Sequence, residues 1–348
     1  MTVRSKELAT AMLLRQGYIE RTKNTRAARY GQVTEAVFVA LSKELAKLSD
    51  DGLARLSLRN LRALVSRVLA AHDQASAVFV DSLTEWTAEF IQLEDQFTVR
   101  GMNRITGEDR KPDENDGYSS FWLGLLGATG LSAKESITTF ARSQARAIKK
   151  LLQRAHAQKW TAKQTVTALR GTQRLGFKDG LARKLQNAAS SLVGTIIQAA
   201  SSFARSKAYT KFMDKILGYT WVSILDTKTS ATCRSLSGRV FKFGEGPLPP
   251  AHYNCRSHIE PLFIRAAMLV TGGTLRAAEN APTFYSWLKK QSISVQEQAL
   301  GKTRSKLFRD GGLTEEEFAR KVVDARFEPL TLEQLRASDP AIFEAANL

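Results

Sequence analysis

The chain has 348 residues, 43% of them hydrophobic, and carries a formal net charge of +17. That length and apolar share describe a globular protein of two or three domains and exclude a disordered one. Two cysteines exclude a disulfide framework, and the lack of any run of about 18 apolar residues excludes a membrane-spanning helix.

The charge is unevenly placed. Residues 118–220 hold 17 Lys/Arg against Glu135, Asp179 and Asp214, a surplus of 14. A field of this sign favours polyanionic partners, nucleic acid first among them. A solvated helical surface that keeps the protein soluble is the competing reading, and charge alone does not separate the two. The first twenty residues break their apolar positions with Arg4, Lys6, Glu7 and Arg15, unlike a secretory signal. Synthesis in a reducing cytoplasm is the expectation.

Residues 1–117 read as successive helices. Leu8, Met12 and Ile19 mark the first, and Val33, Val37, Leu41, Leu45 and Leu48 the second, with Asp50-Asp51-Gly52 as its stop. Ser57 is placed to cap a third, whose stripe is Leu61, Leu64, Val65, Val68 and Leu69. Phe79, Leu83, Trp86, Phe90, Leu93 and Phe97 then form a packing seam, with Asp81, Glu85, Glu89 and Glu94 on the outer faces. Residues 103–117 have loop composition.

Residues 118–217 read as a basic helical bundle. Ser132 to Glu135 and Thr161 to Gln164 have the form of capping boxes. Arg142, Arg146, Lys150 and Arg154 recur every four residues, with Lys149 beside them, so they form one cationic row on a helix. Against phosphates that row would add counterion-release affinity. The next helix carries Leu181, Leu185, Leu192, Ile196 and Phe203 among small residues, which places it inside a bundle. Arg205, Lys207, Lys211 and Lys215 fall in its last turns, where positive charge complements the helix dipole.

At Gly218 the period changes. Residues 218–264 read as a strand-and-loop module containing both cysteines, with strands near Tyr219 to Ile224, Gly238 to Phe243 and Ile259 to Ile264. Residues 265–282 read as a linker, and the remainder, to 348, as short helices with little core of their own. Those helices dock either on a partner or on the parent protein. The expected fold class is therefore mainly α, with one small α+β module.

Within the module the order is Asp226-x-x-Thr229-Ser230-x-x-Cys233-Arg234-x-Leu236-x-Gly238-x-Val240-Phe241, then Pro249-Pro250-x-His252-x-Asn254-Cys255-Arg256-Ser257. This order resembles the signature of phage head-morphogenesis proteins, the minor head protein family typified by the F protein of phage Mu. The resemblance covers about forty residues, with further similarity at 287–291 and 298–308 and only general character in the N-terminal half. It implies a virion structural protein of a tailed bacteriophage, made in the host cytoplasm and sited inside the head or at the portal vertex. Implied partners are the portal protein, reached through the N-terminal region, other head proteins and genomic duplex DNA; no membrane, small-molecule substrate or enzymatic activity is implied. Members of the family commonly carry further cysteines where this chain has Ser230 and Ser257, so a four-cysteine metal site is not available.

Cys233, His252, Cys255 and His258 are the zinc-capable side chains of the module, and His252-x-x-Cys255 has chelating spacing. Cys233 has no such neighbour in sequence. The expectation is accordingly no cofactor: two buried thiols, with His252 and Asn254 holding the loop backbone and Arg256 forming a fork-like pair with Asp226. Cys233, His252 and Asp226 also contain the residue types of a cysteine hydrolase, without a nucleophile signature. The alternative function is a zinc-containing nucleic-acid-binding or nuclease-type protein.

Overall fold

A computed structural model describes residues 3–48, 52–113, 119–264 and 282–348. The architecture is mainly α with one small α+β module, as the sequence indicates. Helices α1 (Val3–Ala28), α2 (Gly31–Leu45) and α3 (Leu58–Thr106) open the chain. Of the stop expected after α2, only Gly52 lies in the described residues, and its φ of +57° is left-handed. Ser57 caps α3, its hydroxyl accepting from the Asn60 N–H at 3.2 Å. With 49 residues α3 fuses two expected helices, because neither Gly nor Pro separates the Leu61 and Phe79 stripes.

Next come α4 (Ser119–Leu123), α5 (Ala133–Ala157), α6 (Ala162–Arg170) and α7 (Leu181–Thr210). Both capping boxes form: Ser132 with Glu135 starts α5, and Thr161 with Gln164 starts α6. From Leu192 to Ser202 α7 is buried on every side, as its small residues suggest. The chain then forms β1 (Ile216–Val222), α8 (Ala231–Leu236), β2 (Val240–Phe241) and β3 (His258–Phe263). These strands make an antiparallel sheet of order β2-β1-β3, with Tyr219 opposite both Phe241 and Pro261. Gly218 permits the close β1–β2 approach, since a Cβ there would lie 2.1 Å from the Phe241 carbonyl oxygen.

The chain divides into two units. One comprises residues 18–91 and 116–200, the other residues 1–17, 92–115 and 201–348, so the division falls within α1, α3 and α7. In the first, Tyr30 meets Phe79 and Phe140 edge-on at 5.2 and 5.4 Å, and α5 packs on α6.

In the second unit Leu8, Met12, Val99, Met102, Tyr209, Phe212, Ile216, Tyr219 and Ile259 form one core cluster. Beside α3 the sequence reading needs correction. Leu93, expected in the seam, is 53% exposed, whereas Glu94, expected outside, is fully buried. The Glu94 carboxylate accepts from Arg205 Nε at 2.9 Å and from Arg15 Nε at 2.8 Å. Those cations lie 111 and 79 positions away, and they make an inward carboxylate tolerable. Arg205 is likewise fully buried rather than a surface charge at a helix end. Lys207 and Lys211 pair with Asp113, and Lys215 with Glu108, so four of the 17 central cations are paired with acids of α3 or the segment after it.

Six short helices close the chain: α9 (Phe284–Lys289), α10 (Ile293–Leu300), α11 (Lys302–Asp310), α12 (Glu315–Lys321), α13 (Leu332–Ser338) and α14 (Ala341–Ala345). They differ from expectation in having a core of their own, built on Phe284, Tyr285, Leu288, Leu307, Phe308, Phe318, Leu335 and Phe343. Of these α9 contributes three and no other helix more than two, too few to register as a stripe, and the aromatic edges meet only in three dimensions. The linker expected at 265–282 falls, but for its last residue, outside the described residues.

Candidate functional site

The α+β module is built so that the two halves of its motif meet. After β1 the chain turns at Asp226, whose Oδ1 accepts from the Lys228 N–H at 3.0 Å. The buried Thr229 hydroxyl donates to the Ile224 carbonyl at 2.5 Å. Ser230 caps α8, accepting from the Cys233 N–H at 3.2 Å, and Cys233 thereby sits on the first turn with its side chain turned inward. Gly238 ends the helical segment at φ +82° and donates its N–H to the Trp221 carbonyl at 2.8 Å. A side chain at that φ is strained, and a Cβ would also strike Thr283, 2.6 Å away.

The second half returns through the cis Pro249–Pro250 peptide. Asn254 occupies the left-handed region at φ +59°, which asparagine tolerates better than most residues, and this turns Cys255 inward. Arg256 then reaches Asp226: Nη1 donates to Oδ2 and Nη2 to Oδ1, each at 2.7 Å. The fork anticipated from the sequence is present, and it holds the Asp226 carboxyl below its ordinary value. Arg234 donates to the Thr227 carbonyl at 3.2 Å and lies 5.1 Å over the Phe284 ring, tying the module to α9.

Three side chains converge at the centre. Cys233 Sγ is 3.6 Å from Cys255 Sγ and 3.1 Å from His252 Nε2. Both thiols are buried, in a cluster with Trp221 and Leu236. Cys233 lacks a partner only in sequence; α8 and the loop at 249–257 supply two in space. The hydrogen bond from Cys255 pulls the Cys233 thiol down to about 7, while the same bond and burial push Cys255 up. His252 Nδ1 lies 2.7 Å from the Tyr253 carbonyl oxygen, which can only accept, so that nitrogen carries the ring proton. Nε2 then accepts from the Ser230 hydroxyl at 2.6 Å. Ser223 links the surroundings: it accepts from Trp221 Nε1 at 3.1 Å, donates to the Cys233 carbonyl at 2.7 Å and lies 3.2 Å from the Ser257 hydroxyl.

His258 is elsewhere, on β3 opposite Val222, with Nε2 3.2 Å from Glu260. The Cys–His–Asp relay of a hydrolase is not assembled, because His252 Nδ1 faces a carbonyl oxygen and Asp226 is held by Arg256.

The other candidate surface is α5. Arg142, Arg146, Lys149, Lys150 and Arg154 are all exposed, and none has an acidic partner among the described residues. The same holds for Lys134, Lys159, Lys163, Arg170, Lys178, Arg183 and Lys184, while the exposed Arg174 acts on Asp179. The two acids of the segment serve the backbone instead: Glu135 closes the α5 capping box and Asp179 accepts from the Thr172 N–H at 2.8 Å. The central surplus of charge is thus confined to one unit and faces solvent.

Searches of protein-family models, curated proteins and solved structures find no match to the chain.

Proposed function

We propose that the chain is a minor head protein of a tailed bacteriophage, a virion structural component acting at or near the portal during head morphogenesis. The observation that carries this reading is the convergence of the motif. Residues 226–241 and 249–257, which resemble the head-morphogenesis signature in order and spacing, fold into one module joined by the Asp226–Arg256 fork. Positions that a chance match would leave without structural purpose each have one here: Gly238 and Asn254 take left-handed backbone, and Cys233 and Cys255 are buried.

The unpaired cations of α5 supply the second half of the proposal. They present a surface suited to packaged duplex DNA or to an acidic face of the portal, and either contact contributes to packaging or ejection. The test is co-expression with the portal protein of the same genome, followed by purification through the portal. The expected result is retention of this chain in a salt-sensitive complex; no complex at low salt overturns the portal assignment.

A further inference from the structure

We propose that Cys233, His252 and Cys255 bind one zinc ion, with solvent beside Ser230 as the fourth ligand. The inference is independent of the head-protein reading and stands on three features of the module.

The first is separation. The three donor atoms lie within 4.8 Å of one another. Zn–S bonds of about 2.3 Å and Zn–N bonds of about 2.0 Å in a tetrahedron put two sulfurs about 3.8 Å apart and sulfur and nitrogen about 3.5 Å apart. The observed pairs are 3.6 Å for the sulfurs and 3.1 Å for Cys233 Sγ to His252 Nε2. Seating the ion requires the imidazole to retreat by about 0.4 Å, a small movement for a half-buried side chain on a loop.

The second feature is the tautomer. Zinc-bound histidines almost always give their other N–H to a carbonyl or carboxylate, which fixes the ring and leaves a lone pair for the metal. His252 already does so through Nδ1 and the Tyr253 carbonyl, and its Nε2, 3.1 Å from Cys233 Sγ, carries the lone pair that now accepts from the Ser230 hydroxyl and that the ion would take over.

The third is ligand type and count. Two thiolates and a neutral imidazole are a zinc donor set, and two thiolate charges balance the ion. On binding, two S–Zn bonds and one N–Zn bond form while the thiol protons pass to solvent. Of the two cations that adjoin the thiols in sequence, Arg256 is compensated by Asp226, and Arg234 reaches the Thr227 carbonyl and the Phe284 ring. Ser230 Oγ, 2.6 Å from His252 Nε2, is placed to hold a zinc-bound water. His258 is not a ligand, since it faces Glu260 from β3. The ion would close the loop between α8 and residues 249–257, adding a covalent-strength link parallel to the Asp226–Arg256 fork.

The experiment uses the untagged full chain, reduced and metal-free, titrated with Co(II) and then Zn(II). One equivalent of cobalt should give tetrahedral visible bands and a thiolate charge-transfer band, and zinc should abolish both. H252A and C233S should each lose the charge-transfer intensity or bind at least tenfold more weakly, with far-UV circular dichroism reporting whether they fold. The wild-type titration decides the matter even where a variant does not fold. Three results overturn the proposal: an octahedral cobalt spectrum without charge transfer, thiols equally reactive with and without zinc, or a Cys233–Cys255 disulfide in protein purified under reducing conditions.

Discussion

Arg256 holds Asp226 through two parallel hydrogen bonds of 2.7 Å, and this pair joins stretches of chain 30 residues apart. Planar fork-to-carboxylate geometry is available to arginine and not to lysine. R256K should therefore lose nearly as much stability as R256A, about 1 kcal/mol given the partial exposure of both partners. Urea unfolding of the three proteins checks it. The carboxyl is held low, so its contribution is complete above the ordinary aspartate range and is lost as pH falls through and below it. The wild-type advantage over R256K should vanish in acid.

Glu94 is fully buried with Arg205, and E94Q leaves that guanidinium without a counter-charge. Breaking such a pair from one side costs about 3–5 kcal/mol. The double variant E94L/R205M removes both charges and should recover most of the loss, as read by thermal or urea unfolding. A double variant no better than E94Q contradicts this account of α3 and α7.

In the other unit Glu44 is buried and accepts from Arg67 Nη2 and Lys47 Nζ, each at 2.7 Å. These hydrogen bonds, Arg67 first, bring its carboxyl down to about 2. A carboxyl lowered in this way stabilises the fold fully above the ordinary glutamate value near 4.3 and ceases to do so as pH falls toward 2. E44Q should be less stable than wild type at neutral pH and equal to it near the bottom of that range. A gap of constant size across the range contradicts the assignment.

The cationic row of α5 gives a prediction about salt. If its five side chains meet phosphates, replacing Arg142, Arg146, Lys149, Lys150 and Arg154 by Gln weakens duplex binding at low salt. It should also flatten the dependence of log K on log salt by up to about 4.5, at roughly 0.9 per phosphate contact. Folding should be unaffected, because all five are exposed and without acidic partners. Fluorescence anisotropy at several salt concentrations reads both effects; an unchanged slope leaves the row as a solvated face.

What sequence made legible follows from how local each determinant is. Capping boxes at Ser132 and Thr161, the stripe of α7 and the turn at Asp226 involve residues within a few positions, and they read correctly. Glu94 did not, because hydrophobic periodicity places every carboxylate outside and cannot register Arg205 on a distant helix. The C-terminal core was hidden for the same reason, its buried aromatic residues being shared among four of the six short helices. At the candidate site the residue types were visible, but the proximity of Cys233 to His252 and Cys255 was not. It arises from the β1–α8 turn and the returning loop, neither of which leaves a spacing signature.

The central claim is a place in the virion, and the most direct measurement is quantitative mass spectrometry of purified particles made from the genome that encodes this chain. The account predicts its presence at few copies relative to the major capsid protein, with aberrant heads when the gene is deleted. Normal, infectious particles that lack the chain would contradict it.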